Sequence, residues 1–194
     1  MTTRVLVDAN VLHPRTLRDW LLMLKLQTGT QMFTLASTED ILAETIHSIR
    51  RRYPHMAGGV MARTRELITQ TLDEMIRDYP VGDFPGADIN DSHVHGAAVH
   101  AQVDILLTND TGWDRVADQL PYDIYRTDDF FLLVSDSAPR AVADVACQQI
   151  QHQLARGADE VDLVASLKSA QCPQFAERVR QLLQTIDFTP GSTT

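Results

Sequence analysis

Four short apolar runs constrain this chain most: "RVLVD" (4–8), "QMFTLAS" (31–37), "VDILLT" (103–108) and "YDIYR" (122–126). Each has the length and β-branched or aromatic content of a buried strand, and segments with helical spacing lie between them. Residues 14–28 carry Leu17, Leu21, Leu24 and Lys25 on one stripe, and Gly29 stops that helix. Ser37 with Asp40 three residues on reads as a capping box for a helix running to about Tyr53. Further helices are expected over 57–78, 89–101 and, more briefly, 112–119, with "RDYPV" (77–81) as an added strand candidate. Alternation of this kind over the first 126 residues predicts a parallel sheet covered on both faces. Beyond Thr127 the pattern is helical, with Gly157 and Pro173 as punctuation.

The chain of 194 residues is long enough to bury one full core. We expect residues 1–136 to form an α/β unit, 137–188 a helical extension packed on the same domain, and 189–194 a disordered tail. No stretch has the roughly 20 apolar residues of a membrane span, and "MTTRVLVDAN" lacks the layout of a signal peptide. Cys147 and Cys172 form no CxxC motif and fit packing residues in a reducing cytoplasm.

Charge is unevenly spread. Residues 1–80 hold 10 Lys+Arg and 9 Asp+Glu, the remainder 7 and 17, giving the net charge of −9. Such a protein repels phosphate unless a local basic edge or a metal ion intervenes. Arg50, Arg51 and Arg52, with Arg63 and Arg65 nearby in sequence, are the candidates for that edge.

In an open parallel sheet, sites form beyond the C-terminal strand ends. Asp8 ends the first run, Asp110 lies just past "DILLT", and Asp88 and Asp91 open the helix that feeds that strand. Two carboxylates about 5 Å apart repel by roughly 3 kcal/mol at an effective dielectric near 20. A converging set must therefore bind protons or a hard divalent cation, and oxygen-only ligation suits Mg2+ or Mn2+. Such a metal lowers the pKa of a bound water and neutralises a scissile phosphate. Singly, the acids have plainer readings. D-x-x-D is a helix start favoured by capping and the dipole, and "TNDTG" is rich in turn formers. An acid ending a buried strand, however, must be solvated or paired. His93 and His95 are not spaced as a zinc pair; with His100 they read as structural or surface residues, although His95 could reach the same edge as Asp91.

Taken in order, "VLVDANVL", "EDILAETIHSI", "DINDSHVHGAAVHAQVDILLTND" and "YRTDDFF" resemble the motifs of PIN-domain ribonucleases, more narrowly the VapC-type toxins of bacterial toxin–antitoxin pairs. The resemblance covers roughly residues 4 to 135. It implies a PIN-like parallel sheet flanked by helices and a Mg2+-dependent endoribonuclease leaving 5′-phosphate and 3′-hydroxyl ends. Its acidic site would be Asp8, Glu44, Asp91 and Asp110. Asn10 would support the first acid, Thr108 would line the pocket, Asp114 would be a further carboxylate and Asp88 the helix cap. A cognate antitoxin, an RNA substrate and a homodimer are the implied partners. Glu44 comes from the resemblance alone, because the helical wheel puts it opposite the Ile41, Leu42, Ile46, Ile49 side. Two other readings stand beside this one. One is a non-catalytic PIN-like module that binds RNA or protein. The other is a haloacid-dehalogenase-like phosphatase, which usually has a second acid two residues after the first, where this chain has Asn10.

Overall fold

The computed structural model describes residues 2–185. The first strand, β1 (Thr3–Val7), has Val5, Leu6 and Val7 wholly buried. It runs through Asp8 into a single helical turn, α1 (Ala9–Leu12), and then α2 (Arg15–Thr28). Gly29, at φ 64°, ends α2 in the left-handed region that glycine tolerates. Strand β2 (Phe33–Thr38) leads to α3 (Glu39–Arg52) and α4 (Gly58–Thr71). The cap of α3 is Thr38, not Ser37: its hydroxyl accepts from Ile41 N at 3.1 Å, because the strand continues one residue further than the capping pattern suggests.

The third strand is a correction. β3 is Glu74–Ile76, inside the span expected to be helical, and 77–81 is not a strand. Leu72 is extended and ends α4, and Asp73 then zips the chain onto β2 in both directions. Its amide donates to Leu35 O at 2.9 Å, and its carboxylate accepts from Leu35 N at 2.8 Å. Residues 77–81 instead cross helix α5 (Ser92–His100), where Gly96 lets the Pro80 carbonyl come so near that a Cβ would lie 2.2 Å from it.

Strands β4 (Ile105–Leu107) and β5 (Asp123–Tyr125) complete a five-stranded, all-parallel sheet in the order β3-β2-β1-β4-β5. Central β1 pairs with β2 (Val5 opposite Leu35) and with β4 (Val5 opposite Ile105). The winding reverses between β1 and β4, so a crevice opens beyond their C-terminal ends. Two 3-10 turns, Thr111–Arg115 and Ala117–Gln119, stand where one short helix was expected.

Four helices follow: α6 (Thr127–Ser137), α7 (Pro139–Ala155), α8 (Leu163–Ser169) and α9 (Pro173–Thr185). Val142, Val145, Leu167, Phe175 and Val179 share one core with the sheet. Phe175 lies edge-on to Trp20 and against Phe131, both at 5.0 Å between ring centres. Buried Asp128 accepts from Gln174 N and Phe175 N at 3.1 and 2.8 Å, capping α9 from α6. The expected tail at 189–194 lies outside the described residues. No helix among the described residues is long and apolar enough to cross a membrane.

Lys25, read from sequence as part of the apolar stripe, is buried as an ion. Its ammonium meets Asp73 Oδ2 at 2.9 Å and donates to the carbonyls of Gly29 and Phe33 at 3.1 and 3.0 Å. Removing one member of such a pair leaves the other uncompensated. Lys25→Ala should therefore lower unfolding stability by about 3 kcal/mol, read from the midpoint in urea. Asp128→Ala should cost about 1 kcal/mol through the lost cap. A Lys25→Ala midpoint equal to wild type would show that the pair holds nothing together.

Candidate active site at the carboxyl edge of the sheet

Asp8 leaves the end of β1 and is buried. A carboxylate there must be satisfied locally, and three donors do so. Ala9 N donates to Oδ1 at 2.6 Å, and the Thr108 hydroxyl and Asn10 Nδ2 donate to Oδ2 at 2.7 and 2.6 Å. Asn10 also donates to Thr108 Oγ1 at 2.8 Å, and its carbonyl accepts from Asn109 N at 2.9 Å. The ends of β1 and β4 are thus stitched together by side chains beyond the last ladder bond, Asp8 N to Leu107 O at 3.1 Å. With its amide committed to three partners, Asn10 does not supply the second acid of the phosphatase pattern.

The D-x-x-D pair divides its tasks. Asp88 caps the 3-10 turn Ile89–Asp91, accepting from Asn90 N at 2.9 Å. Asp91 makes no capping bond to α5 and is one of the residues lining a groove of about 540 Å3. Asp8, Glu44 and Asp110 line the same groove, together with Ala9, Asn10, His13, Ala43, His47 and Ser48. Asp110 is exposed and also holds Gly112 N at 2.7 Å. Glu44, half-exposed, lies on the flank of α3 that borders this groove, while Ile41, Leu42, Thr45 and Ile49 face the core.

Burial, with smaller contributions from neighbouring carboxylates, raises three of the groove acids. Burial raises the Asp8 carboxyl and Asp110 raises it further, against the lowering effect of its hydrogen bonds to Thr108 and Ala9. Burial likewise raises Glu44, opposed by His93 and reinforced by Asp8 and Asp40. Asp91 is pushed up to about 6, by burial first and then by Asp88, Asp110 and Asp8.

Two expected positions differ from their sequence reading. Asp114 does not line the groove. It is ion-paired with Arg126, whose guanidinium also donates to Thr108 O and Asp110 O at 3.1 and 2.5 Å and so fixes the end of β4 from behind. Arg50 is occupied closing the turn after α3, donating to Met56 O at 2.6 Å. His95, read as structural, is so: it meets Tyr122 Oη at 2.8 Å and packs near Phe84, because that flank of α5 faces an aromatic cluster.

Sequence reasoning missed several participants. Asn109 accepts from Thr127 N and Oγ1 at 3.0 and 2.8 Å, tying β4 to α6. His93, read as structural or surface, has Nδ1 2.6 Å from Asn90 O and Nε2 3.4 Å from Glu44 Oε1. A carbonyl only accepts, so Nδ1 carries the proton in that bond. No spacing rule could reveal this contact, because its partner lies on another helix far back in the chain.

Among the described residues, no three His, Cys, Asp or Glu side chains form a ready-made ligand cage. The donor chemistry nonetheless fits a hard cation. The acids offer oxygen only, their charge is incompletely relieved, and Mg2+ characteristically keeps several waters while taking one or two carboxylates directly. Compared with protein-family models, with curated proteins and with solved structures, the chain matches none.

A carboxyl raised in the folded state binds its proton more tightly there than in the unfolded chain. Between pH 4 and 6, Asp91 therefore makes stability fall as pH rises, and above pH 6 the cost is fully present. Asp91→Asn should flatten this dependence and stabilise the protein at neutral pH by about 1 kcal/mol, allowing for solvent screening of a half-exposed group. Urea unfolding across that pH range measures it. A parallel pH dependence in the variant would exclude Asp91 as the source.

Proposed function

We propose that the protein is a Mg2+- or Mn2+-dependent endoribonuclease with a PIN-like fold. The observation that carries the reading is the placement of Asp8, Asp91, Asp110 and Glu44 along one groove at the switch point of a parallel sheet, with the Asp91 carboxyl pushed up to about 6. Burial and the neighbouring carboxylates together disfavour the charged form of Asp91, and a ligand that supplies positive charge would relieve both. The strand order and the run of motifs resembling PIN ribonucleases support the same reading.

Asp8, Asp91 and Asp110 would hold the cation, with Glu44 closing the ring directly or through water. When bound, the cation supplies a water of lowered pKa and neutralises charge on the scissile phosphate. The chain's own part is preorganisation. Thr108, Asn10 and Ala9 N fix the Asp8 carboxylate before any substrate arrives, and Arg126 holds the backbone of Thr108 and Asp110. His93 reaches Glu44 and offsets part of the acidic field. No side chain has to take the proton of an RNA 2′-hydroxyl, so the products would be 5′-phosphate and 3′-hydroxyl ends. The reading also carries the expected toxin role in the cytoplasm, with a cognate antitoxin and a second copy of the chain as partners.

Asp8→Asn should lower metal-dependent RNA cleavage by several orders of magnitude while leaving the fold intact. It should also abolish the rise in melting temperature that Mg2+ gives the wild type. Gel analysis of RNA fragments with Mg2+ or chelator, paired with thermal unfolding, tests both points. Equal cleavage in chelator would overturn the metal-dependent mechanism, and no cleavage with either metal would leave a non-catalytic binding module as the better account. For the toxin role, wild type expressed alone should arrest bacterial growth, and Asp110→Ala should be harmless at equal expression. Arrest by Asp110→Ala would mean that the groove acids are not its cause.

A further inference from the structure

The groove does not end at the carboxylates. Past Ala9 and Asn10 it is lined by Ala43, His47, Ser48 and His13. Helix α3 presents Glu44, His47 and Ser48 to the groove, and the next positions on that flank, three and four residues after Ser48, are Arg51 and Arg52. After burial, the positive fields of Arg52 and Arg18 hold the His13 imidazole below its ordinary range. Arg18 is mostly buried and donates to Leu12 O and His13 O at 2.9 and 3.3 Å, which fixes the backbone that carries His13. Tyr53, at the end of α3, is 44% exposed. The Arg52 guanidinium lies 5.8 Å from the centre of its ring, and Arg52 Nε is 3.3 Å from its hydroxyl. Among the described ion pairs, none engages Arg51 or Arg52.

We propose that Arg52 and Tyr53, with His13 beside them, form a nucleotide subsite that seats one phosphate and one base of a single-stranded RNA whose backbone continues to the acidic end of the groove. This rests on the ribonuclease reading and adds to it the residues that position the substrate. An exposed aromatic ring beside an arginine is a platform for any unpaired base, since every base has a π-face. The guanidinium gives a phosphate a charge-assisted bond that a carboxylate-lined groove lacks. A duplex keeps its bases stacked on each other and offers none to Tyr53. Nine residues of helix separate Glu44 from Tyr53, about 13 Å along the axis, which leaves room for intervening nucleotides between the subsite and the acids.

Binding can be read apart from cleavage by fluorescence anisotropy of a labelled single-stranded RNA of roughly 12 nucleotides, using the full chain in chelator and again as Asp8→Asn. Arg52→Ala should weaken binding about tenfold and reduce the slope of log K against log salt by about 0.7. Arg52→Lys should keep that slope. Tyr53→Ala should weaken single-stranded RNA at least about fivefold and leave a blunt duplex unaffected, while Tyr53→Phe should bind as wild type does. Arg140→Ala, an exposed cation on the C-terminal helices, should change nothing. If cleavage is present and neither Arg52→Ala nor Tyr53→Ala alters binding or its salt slope, the subsite is wrong and the ribonuclease reading survives. Binding that depends on Arg52 and Tyr53 without any metal-dependent cleavage supports the subsite and overturns the enzyme. Absence of both overturns the two together.

Discussion

A carboxylate buried at the end of the central strand is the constraint around which this structure is arranged. Asp8 can sit there only because Thr108, Asn10 and Ala9 N satisfy it. Those bonds require β1 and β4 to be adjacent and in register. Parallel pairing of Val7 with Leu107 puts Asp8 and Thr108 side by side past the ladder, and Arg126 then braces the far side of β4. Sheet topology and site geometry are thus one solution. A shift of register by one residue would bury an unsatisfied charge and turn the apolar set of β4 the other way.

Much of this was legible beforehand because the signals are local. Four of the five strands, the Gly29 stop and the division of labour between Asp88 and Asp91 follow from short-range chemistry. What escaped depended on partners distant in sequence. β3 lay hidden within an expected helix because its pairing is set by Asp73 folding back on Leu35. Lys25 passed for an apolar position because its four-carbon stem packs like one while its ammonium finds Asp73. Glu44 looked misplaced on a wheel that has only an inside and an outside. In the fold, the flank of α3 borders a groove, a third environment that periodicity does not distinguish.

The C-terminal helices bear on the site indirectly. Asp128 begins as a residue of α6 and ends as the cap of α9, while neighbouring Thr127 is bound by Asn109 at the end of β4. Two adjacent residues therefore link α9 to the loop that carries Asp110. Loosening of α9 therefore has a short hydrogen-bonded route to the groove.

The order in which the strands must assemble has a consequence for synthesis on the ribosome. Asp8 emerges early, yet its stabilising partner Thr108 comes a hundred residues later, after three strands and the helices between them. Contacts of such long sequence separation close last and slowly. Any chemistry that needs Asp8 and Asp110 together is therefore withheld from the nascent chain until β4 has inserted beside β1. A protein that cuts RNA would thereby be inert while still attached to the machinery, itself built of RNA, that is making it.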